Sequence, residues 1–271
     1  MSGAPRSLPA SAYLPAGEGR WRSTELTRGP WNPQHQHAGP PIALVARQIQ
    51  RAAQPLGLTH IARLTANLLR PIPLAELSVA VQTDYAGRNV AHFSATLSSQ
   101  DKEVARFTAV LQREAELALP QGLPGHPLPR APQPPESSPP AKFPFGQKSI
   151  GYPDLVECRV ANGVFFRGPC AIWFRLRRPL LEGEAPEPIE RVAVAADSGN
   201  GISSILDFRR YLFLNSDLTI NLLRRAEGEW ICIEARTLVG PASNGLAEAR
   251  IYDAQGLIGR STQSLTLRPR E

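Results

Sequence analysis

The chain has 271 residues, a net charge of +6, 42% hydrophobic residues and 20% charged residues. These proportions are typical of a globular protein with a substantial core and exclude a disordered or fibrous chain. No run of the sequence approaches the roughly 18 apolar residues of a membrane-spanning helix. The N-terminal residues contain no apolar segment of a secretory signal. We therefore expect a cytoplasmic protein with no membrane partner.

Arginine supplies most of the positive charge, and it is spread along the chain rather than clustered. Proteins that bind nucleic acid more often have a basic stripe with interleaved aromatic residues, so we expect no nucleic-acid partner. A mild positive excess suits a small polyanionic ligand instead. The three cysteines, Cys158, Cys170 and Cys232, form no CxxC pair. We predict that they are buried as small apolar residues.

The first third of the chain is predicted to fold as one helix followed by strands. A Pro-Pro pair at residues 40–41 suits the first turn of a helix, and Ile42, Val45 and Ile49 recur behind it at helical spacing. We therefore predict an amphipathic helix over residues 41–54. Alternating apolar and polar residues, separated by turn residues, predict the strands that follow. These strands are predicted over 61–69, 76–84, 89–98 and 104–113.

Residues 119–142 contain nine prolines. Proline has no backbone N–H and a fixed φ, so this segment can form neither a helix nor a central strand. We predict a stiff linker here. It separates a first domain at residues 1–118 from a second domain at residues 143–271.

The second domain is predicted to repeat the order of the first. Ile172, Phe174 and Leu176 alternate with residues that face the other way and predict a strand. Residues 187–206 are rich in small residues, and we predict a helix here that a sheet can wrap closely. The strands that follow are predicted over 211–223, 229–238, 246–252 and 257–267.

Two segments of the chain are near copies of each other. LTANLLR at residues 64–70 returns as LTINLLR at residues 218–224, a spacing of 154 residues. That spacing is too long for a solenoid repeat, whose period is about 20–50 residues, and it indicates a duplicated fold. A helix followed by antiparallel strands, present twice, predicts an α+β protein in which each sheet curls over its own helix. The two units can pair edge to edge and so cover two exposed strand edges.

The two copies differ at positions that could carry chemistry. At the repeat spacing, Asp197 stands where the first copy has Ala43, and Gln263 stands where it has Ala109. A buried helix would otherwise favour alanine over a charged residue. The difference therefore predicts that a functional site uses the second copy.

These segments together resemble the acyl-CoA thioesterase II-like family, the double-hotdog acyl-CoA thioesterases. The resemblance rests on the order of QHAGPPIALVARQI, LTANLLRPIP, AADSGNGISSIL, SDLTINLLR and GRSTQSLTL. It implies a double hotdog fold, with two antiparallel sheets each wrapped around a long helix and joined in one chain. It also implies hydrolysis of fatty-acyl-CoA to the free acid and CoA, with acyl-CoA as the small-molecule partner and no cofactor.

The family's catalytic groups are an acid on the second helix, a hydroxyl on the next strand and an amide on the last strand. The resemblance carries these roles over to Asp197, Thr219 and Gln263. Asp197 suits the base that takes a proton from the attacking water, and the other two side chains can each hold that water because both donate and accept. His37 and Gly39 are expected to shape the substrate mouth, where backbone N–H groups at a helix start suit an oxyanion.

Other functions of the same fold stay open. A non-catalytic acyl-CoA-binding protein would keep the fold without hydrolysis. An enoyl-CoA hydratase-type enzyme would need an Asp and a His facing one site, and no histidine lies near the helix and strands of the second copy. His35 and His37 have no third ligand at a defined spacing, so we expect no metal. A homo-oligomer is compatible with the predicted fold.

Overall fold

The structure is a computed structural model that describes residues 7–145 and 149–270. Its first half contains one long helix, which begins two residues before the predicted one, and several strands close to their predicted positions. In chain order these elements are β1 (Tyr13–Pro15), β2 (Arg20–Ser23), a 3-10 turn (Glu25–Thr27), α1 (Gly39–Ala53), a second 3-10 turn (Gln54–Leu56), β3 (His60–Leu68), β4 (Glu76–Ala86), β5 (Val90–Ser99) and β6 (Lys102–Gln112).

The second half repeats this order with two interruptions. The predicted helix over 187–206 is broken into two pieces, and the predicted strand over 211–223 is two strands. The elements are a 3-10 turn (Pro135–Ser137), β7 (Pro140–Ala141), α2 (Tyr152–Leu155), β8 (Val156–Gly163), β9 (Cys170–Leu176), α3 (Pro188–Ala196), α4 (Gly199–Ile202), β10 (Tyr211–Asn215), β11 (Asp217–Leu222), β12 (Ile231–Val239), β13 (Asn244–Asp253) and β14 (Gly256–Pro269).

All described strands belong to one 14-stranded sheet, in the order β1-β2-β4-β5-β6-β3-β11-β14-β13-β12-β9-β8-β7, with β10 paired to β14. The two sheets that were predicted, one around each helix, are joined edge to edge into this one sheet. The repeated strands β3 and β11 pair antiparallel, with Thr65 opposite Thr219. This pairing satisfies backbone groups that would otherwise lie exposed at two sheet edges, so the two units share one sheet.

The two main helices pack against each other in the core that this sheet surrounds. A Cβ on Gly39 would lie 2.8 Å from the Val194 carbonyl oxygen, so only glycine allows α1 to approach α3 this closely. Farther along, the Arg47 guanidinium donates to the Glu190 carboxylate at 2.9 Å, and both residues are buried. The helices therefore run antiparallel, and the start of α1 lies beside the end of α3.

The proline-rich segment over residues 119–142 contains a single 3-10 turn and β7, which lies at the edge of the sheet. The three cysteines are buried and unpaired, as predicted for small apolar residues. Among the described residues, no helix is both long enough and apolar enough to cross a membrane.

Candidate active site

A cavity of about 580 Å³ lies where the strands of the two halves of the sheet separate. β3 ends at Leu68, while β10 pairs only with β14 and leaves its other side unpaired. The cavity lies between the segment after β3 and β10, and it extends to the loop before α1. Six of the aromatic side chains that line it are Trp31, Phe143, Phe145, Phe166, Phe208 and Phe213.

Asp197 is the acid that lines this cavity. It follows α3 directly, at the break before α4, so the end of the helix places its carboxylate at the cavity wall. The side chain of Asn215 donates to Asp197 Oδ1 at 2.9 Å. On the other oxygen, His37 Nδ1 lies 2.8 Å from Asp197 Oδ2. Because each carboxylate oxygen has about two acceptor positions, Oδ2 can still accept a hydrogen bond from a water in the cavity.

Gln263 lies behind the acid rather than in the cavity wall. Its amide nitrogen donates to the Asp197 carbonyl oxygen at 3.2 Å and to Asp197 Oδ1 at 3.5 Å. Its amide oxygen accepts the Asn200 N–H at 3.0 Å. Gln263 is buried and therefore bridges the two sides of the helix break, which fixes the position of the acid.

His37 is held by stacking as well as by the acid. Its ring lies parallel to that of Tyr152, with 3.8 Å between centroids. The Tyr152 hydroxyl donates to the Val194 carbonyl oxygen at 2.9 Å, and the Ser198 hydroxyl lies 2.9 Å away. Burial raises the pKa of the Tyr152 hydroxyl well above its usual range, so the group stays a proton donor. No sequence pattern marks Tyr152, because its role depends on tertiary packing.

The protonation of the His37 ring follows from its two neighbours at Nδ1. Asp197 Oδ2 lies at 2.8 Å, and the Gly39 N–H points to the same nitrogen from 3.2 Å. The 2.8 Å contact is a hydrogen bond when Nδ1 carries a proton, because an ionised carboxylate only accepts, whereas the Gly39 contact uses the Nδ1 lone pair. Among the described residues, no hydrogen bond reaches His37 Nε2. Gly39 does not line the cavity, and its structural role is the close helix packing.

The structure does not bring Thr219 to this cluster. Its hydroxyl lies 3.1 Å from that of Thr65, across the junction of the two repeats. Leu218 and Ile220 are buried on either side of it, so Thr219 faces the opposite side of the sheet from the helices. Asn215 is the polar side chain of this region that reaches Asp197, and the sequence analysis missed it.

A bulge explains why Asn215 and Thr219 face different sides. Thr219 pairs with Thr262, and Asn215 pairs with Leu265. The two residues are four positions apart on β10–β11, whereas their partners are three positions apart on β14. The extra residue is Ser216, between β10 and β11. Because side chains alternate in a strand, one inserted residue reverses the face of everything beyond it.

Comparison with known families decides the identity of the fold. The model of the acyl-CoA thioesterase N-terminal domain matches residues 27–112, and that of the C-terminal domain matches residues 135–267. The chain belongs to the acyl-CoA thioesterase family. This match confirms the resemblance to acyl-CoA thioesterases that the sequence indicated.

Solved structures share this fold at low identity. A candidate thioesterase II from Thermobifida fusca is 17% identical with a TM-score of 0.73, and 96% of each chain is covered. A protein with a hot dog fold from Alicyclobacillus acidocaldarius is 16% identical with a TM-score of 0.71, and 97% of each chain is covered. An acyl-CoA thioesterase II from Mycobacterium marinum is 13% identical with a TM-score of 0.64, over 96% of this chain and 95% of that one. No curated protein matches the chain.

Proposed function

We propose that this acyl-CoA thioesterase family member hydrolyses fatty-acyl-CoA with a water activated at Asp197. The observation that carries the proposal is the contact of one cavity-lining carboxylate with both His37 and Asn215. A polar cluster at the wall of a largely apolar cavity suits a substrate with an apolar acyl chain and a reactive carbonyl.

In this mechanism a water binds at the free acceptor position of Asp197 Oδ2. The water oxygen attacks the thioester carbonyl carbon, and its proton passes to Asp197. The C–S bond then breaks, and the departing CoA sulfur takes the proton from Asp197, which restores the carboxylate. Three side chains hold the carboxylate in place. Asn215 donates to Oδ1, Gln263 donates to the Asp197 carbonyl oxygen, and His37 contacts Oδ2.

The role of Thr219 in the sequence-based hypothesis passes to Asn215 in this proposal. Both are polar residues on the strand segment after the second helix, but the hydrogen bond of Asn215 to Asp197 Oδ1 supports its participation. Gln263 keeps a part in the proposal as a residue that positions the acid. Gly39 is assigned to helix packing, and His37 to the site itself.

A second candidate function is the hydration of an unsaturated acyl-CoA. Along the chain, no histidine lies near the helix and strands of the second copy, which counts against this function. In the fold, however, His37 of the first half lies 2.8 Å from Asp197. Such an Asp–His pair could add water across a double bond next to the thioester carbonyl.

A thiol-release assay over a ladder of saturated acyl-CoA chain lengths tests the proposal. We expect free CoA to be released from at least part of the ladder. With crotonyl-CoA as substrate, a hydratase would consume the double bond and release no thiol, which would favour the second candidate. Thermal stabilisation by acyl-CoA without turnover of either substrate would favour a binding protein.

A further inference from the structure

Two arginines line the outer end of the cavity without a carboxylate partner among the described residues. Arg70 follows β3, and Arg268 lies on the exposed face of β14, so the two flank the gap beside β10. Arg70 donates to the Glu103 carbonyl oxygen at 2.7 Å. The nearby Glu103 carboxylate is instead bound by both nitrogens of Arg106, at 2.6 and 2.7 Å.

The duplicated half shows what an arginine at this position does when it has a structural role. Arg224 is the repeat equivalent of Arg70, and it donates twice to the Asp253 carboxylate, at 2.6 Å each. At the repeat spacing of 154 residues, the equivalent of Asp253 is Ser99. The Ser99 hydroxyl donates to a backbone carbonyl and offers no charge to Arg70. The first copy therefore keeps the cation without the carboxylate that binds its equivalent, and Glu103 acts on Arg70 only from beyond ion-pair distance.

An unpaired pair of guanidinium groups at a cavity mouth suits a phosphate-bearing ligand, because guanidinium binds phosphate through charge-assisted hydrogen bonds. We propose that Arg70 and Arg268 bind the phosphates of the CoA nucleotide. The pantetheine arm then enters between the segment after β3 and β10, and the thioester reaches Asp197. This inference rests on the proposed function for its substrate, and it adds the residues that select the CoA half of that substrate.

The test measures binding of free CoA and of pantetheine, which lacks the nucleotide phosphates, by calorimetry. The variants are the double substitution Arg70→Ala with Arg268→Ala, and Arg88→Ala as a matched control. Arg88 is an exposed arginine on the β4–β5 turn, away from the cavity lining. Arg70, Arg268 and Arg88 are all exposed, so a comparison of thermal midpoints with the wild type is enough to check folding.

We expect the double variant to bind CoA at least about tenfold more weakly, the loss expected for charge-assisted hydrogen bonds to phosphate. Pantetheine binding should change less than about twofold, and Arg88→Ala should leave both ligands unaffected. Unchanged CoA binding in the double variant would overturn the inference, and so would an equal loss for both ligands. Because binding needs no turnover, a wild type that binds CoA but hydrolyses no thioester would contradict the proposed function alone.

Discussion

Asn215 and Thr219 lie four residues apart on strands that follow each other along the chain, yet only Asn215 reaches the acid. We predict that Asn215→Ala lowers kcat/KM for a medium-chain acyl-CoA by about tenfold or more, because a donor that holds the reacting group is lost. Thr219→Val, which keeps the shape, should change kcat/KM by less than about threefold. It should lower the free energy of unfolding by about 1 kcal/mol, since it removes the hydrogen bond to Thr65. The reverse order of the two kinetic effects would return the site to Thr219.

His37 is predicted to position Asp197 through the contact between Nδ1 and Oδ2. Two substitutions test this contact. In His37→Asn the side-chain amide can still donate near the Nδ1 position, whereas His37→Ala removes the donor. We expect the Ala variant to lose about tenfold or more in kcat, and the Asn variant to recover most of that loss. If the Asn variant is as inactive as the Ala variant, a donor near the Nδ1 position is not sufficient, and the assignment of His37 as a residue that only positions Asp197 is contradicted.

The sequence predicted Asp197 and Gln263 because they differ from their equivalents in the first copy. It could not predict His37 as a partner of Asp197, since 160 residues separate them and only the antiparallel packing of α1 on α3 brings them together. Asn215 was missed for a different reason. The single extra residue at Ser216 reverses the strand face, and no residue pattern in a polar Asn-Ser-Asp segment fixes where such a bulge falls.

At the scale of elements, hydrogen bonds to the Asp253 carboxylate stabilise the turn between β13 and β14. Its carboxylate is buried, which alone raises its pKa. Hydrogen bonds from Arg224 and from the backbone N–H groups of Glu227 and Gln255 outweigh burial and hold the pKa below its ordinary value of 3.8. A carboxyl whose folded pKa is depressed stabilises the protein above its unfolded pKa, and this stability is lost as the pH falls through the folded pKa.

We therefore predict that Asp253→Asn lowers the free energy of unfolding by about 2 kcal/mol at neutral pH, as expected for hydrogen bonds to a charged group. The difference from wild type should shrink as the pH falls below 3.8. Urea denaturation at neutral pH and below pH 3.8 measures this difference in the free energy of unfolding. Asp101→Asn on the equivalent turn of the first copy is the control, because Asp101 is exposed and Asn tolerates its φ of 60°. An equal effect of both substitutions would contradict the assignment.

The broken helix is the element that the sequence described least well. Periodicity and small residues predicted one helix over 187–206, but the chain leaves α3 at Asp197 and begins α4 at Gly199. The break is maintained from outside the segment, because Gln263 on β14 bonds to Asp197 on one side and to Asn200 on the other. A pattern within the helix cannot report a bond from a strand more than sixty residues away.

At the scale of the whole molecule, the duplication contains a second pocket at the equivalent position. The helices α1 and α3 begin 149 residues apart, whereas the paired strands repeat at 154. Counted from the helix starts, the position that matches Asp197 is Gln48, and at the strand spacing it is Ala43; neither residue is an acid. The equivalents of Asn215 and Gln263 are Ile61 and Ala109. The second pocket therefore lacks the acid and both of its amide partners.

An ion-pair network occupies this second position instead. The pocket there has a volume of about 240 Å³ and is lined by Arg47, Arg51 and Glu187 among others. Arg47 bonds to the buried Glu190 and also contacts Glu184, which Arg51 contacts as well. The Glu184 and Glu190 carboxylates are thus bound by arginines, and none of the three residues equivalent to Asp197, Asn215 and Gln263 is an acid. The duplicated fold is therefore expected to hold one active site per chain.

Turnover of the Asp197→Asn variant tests this account most directly, because it removes the one acid while leaving both copies of the fold in place. With a medium-chain acyl-CoA that the wild type hydrolyses, we predict that kcat falls by about 10²–10⁴-fold, as for the loss of a general base. The thermal midpoint should stay close to that of the wild type. Activity retained at half of the wild-type value or more would contradict the account, because it would show that catalysis proceeds without Asp197 or at a second site.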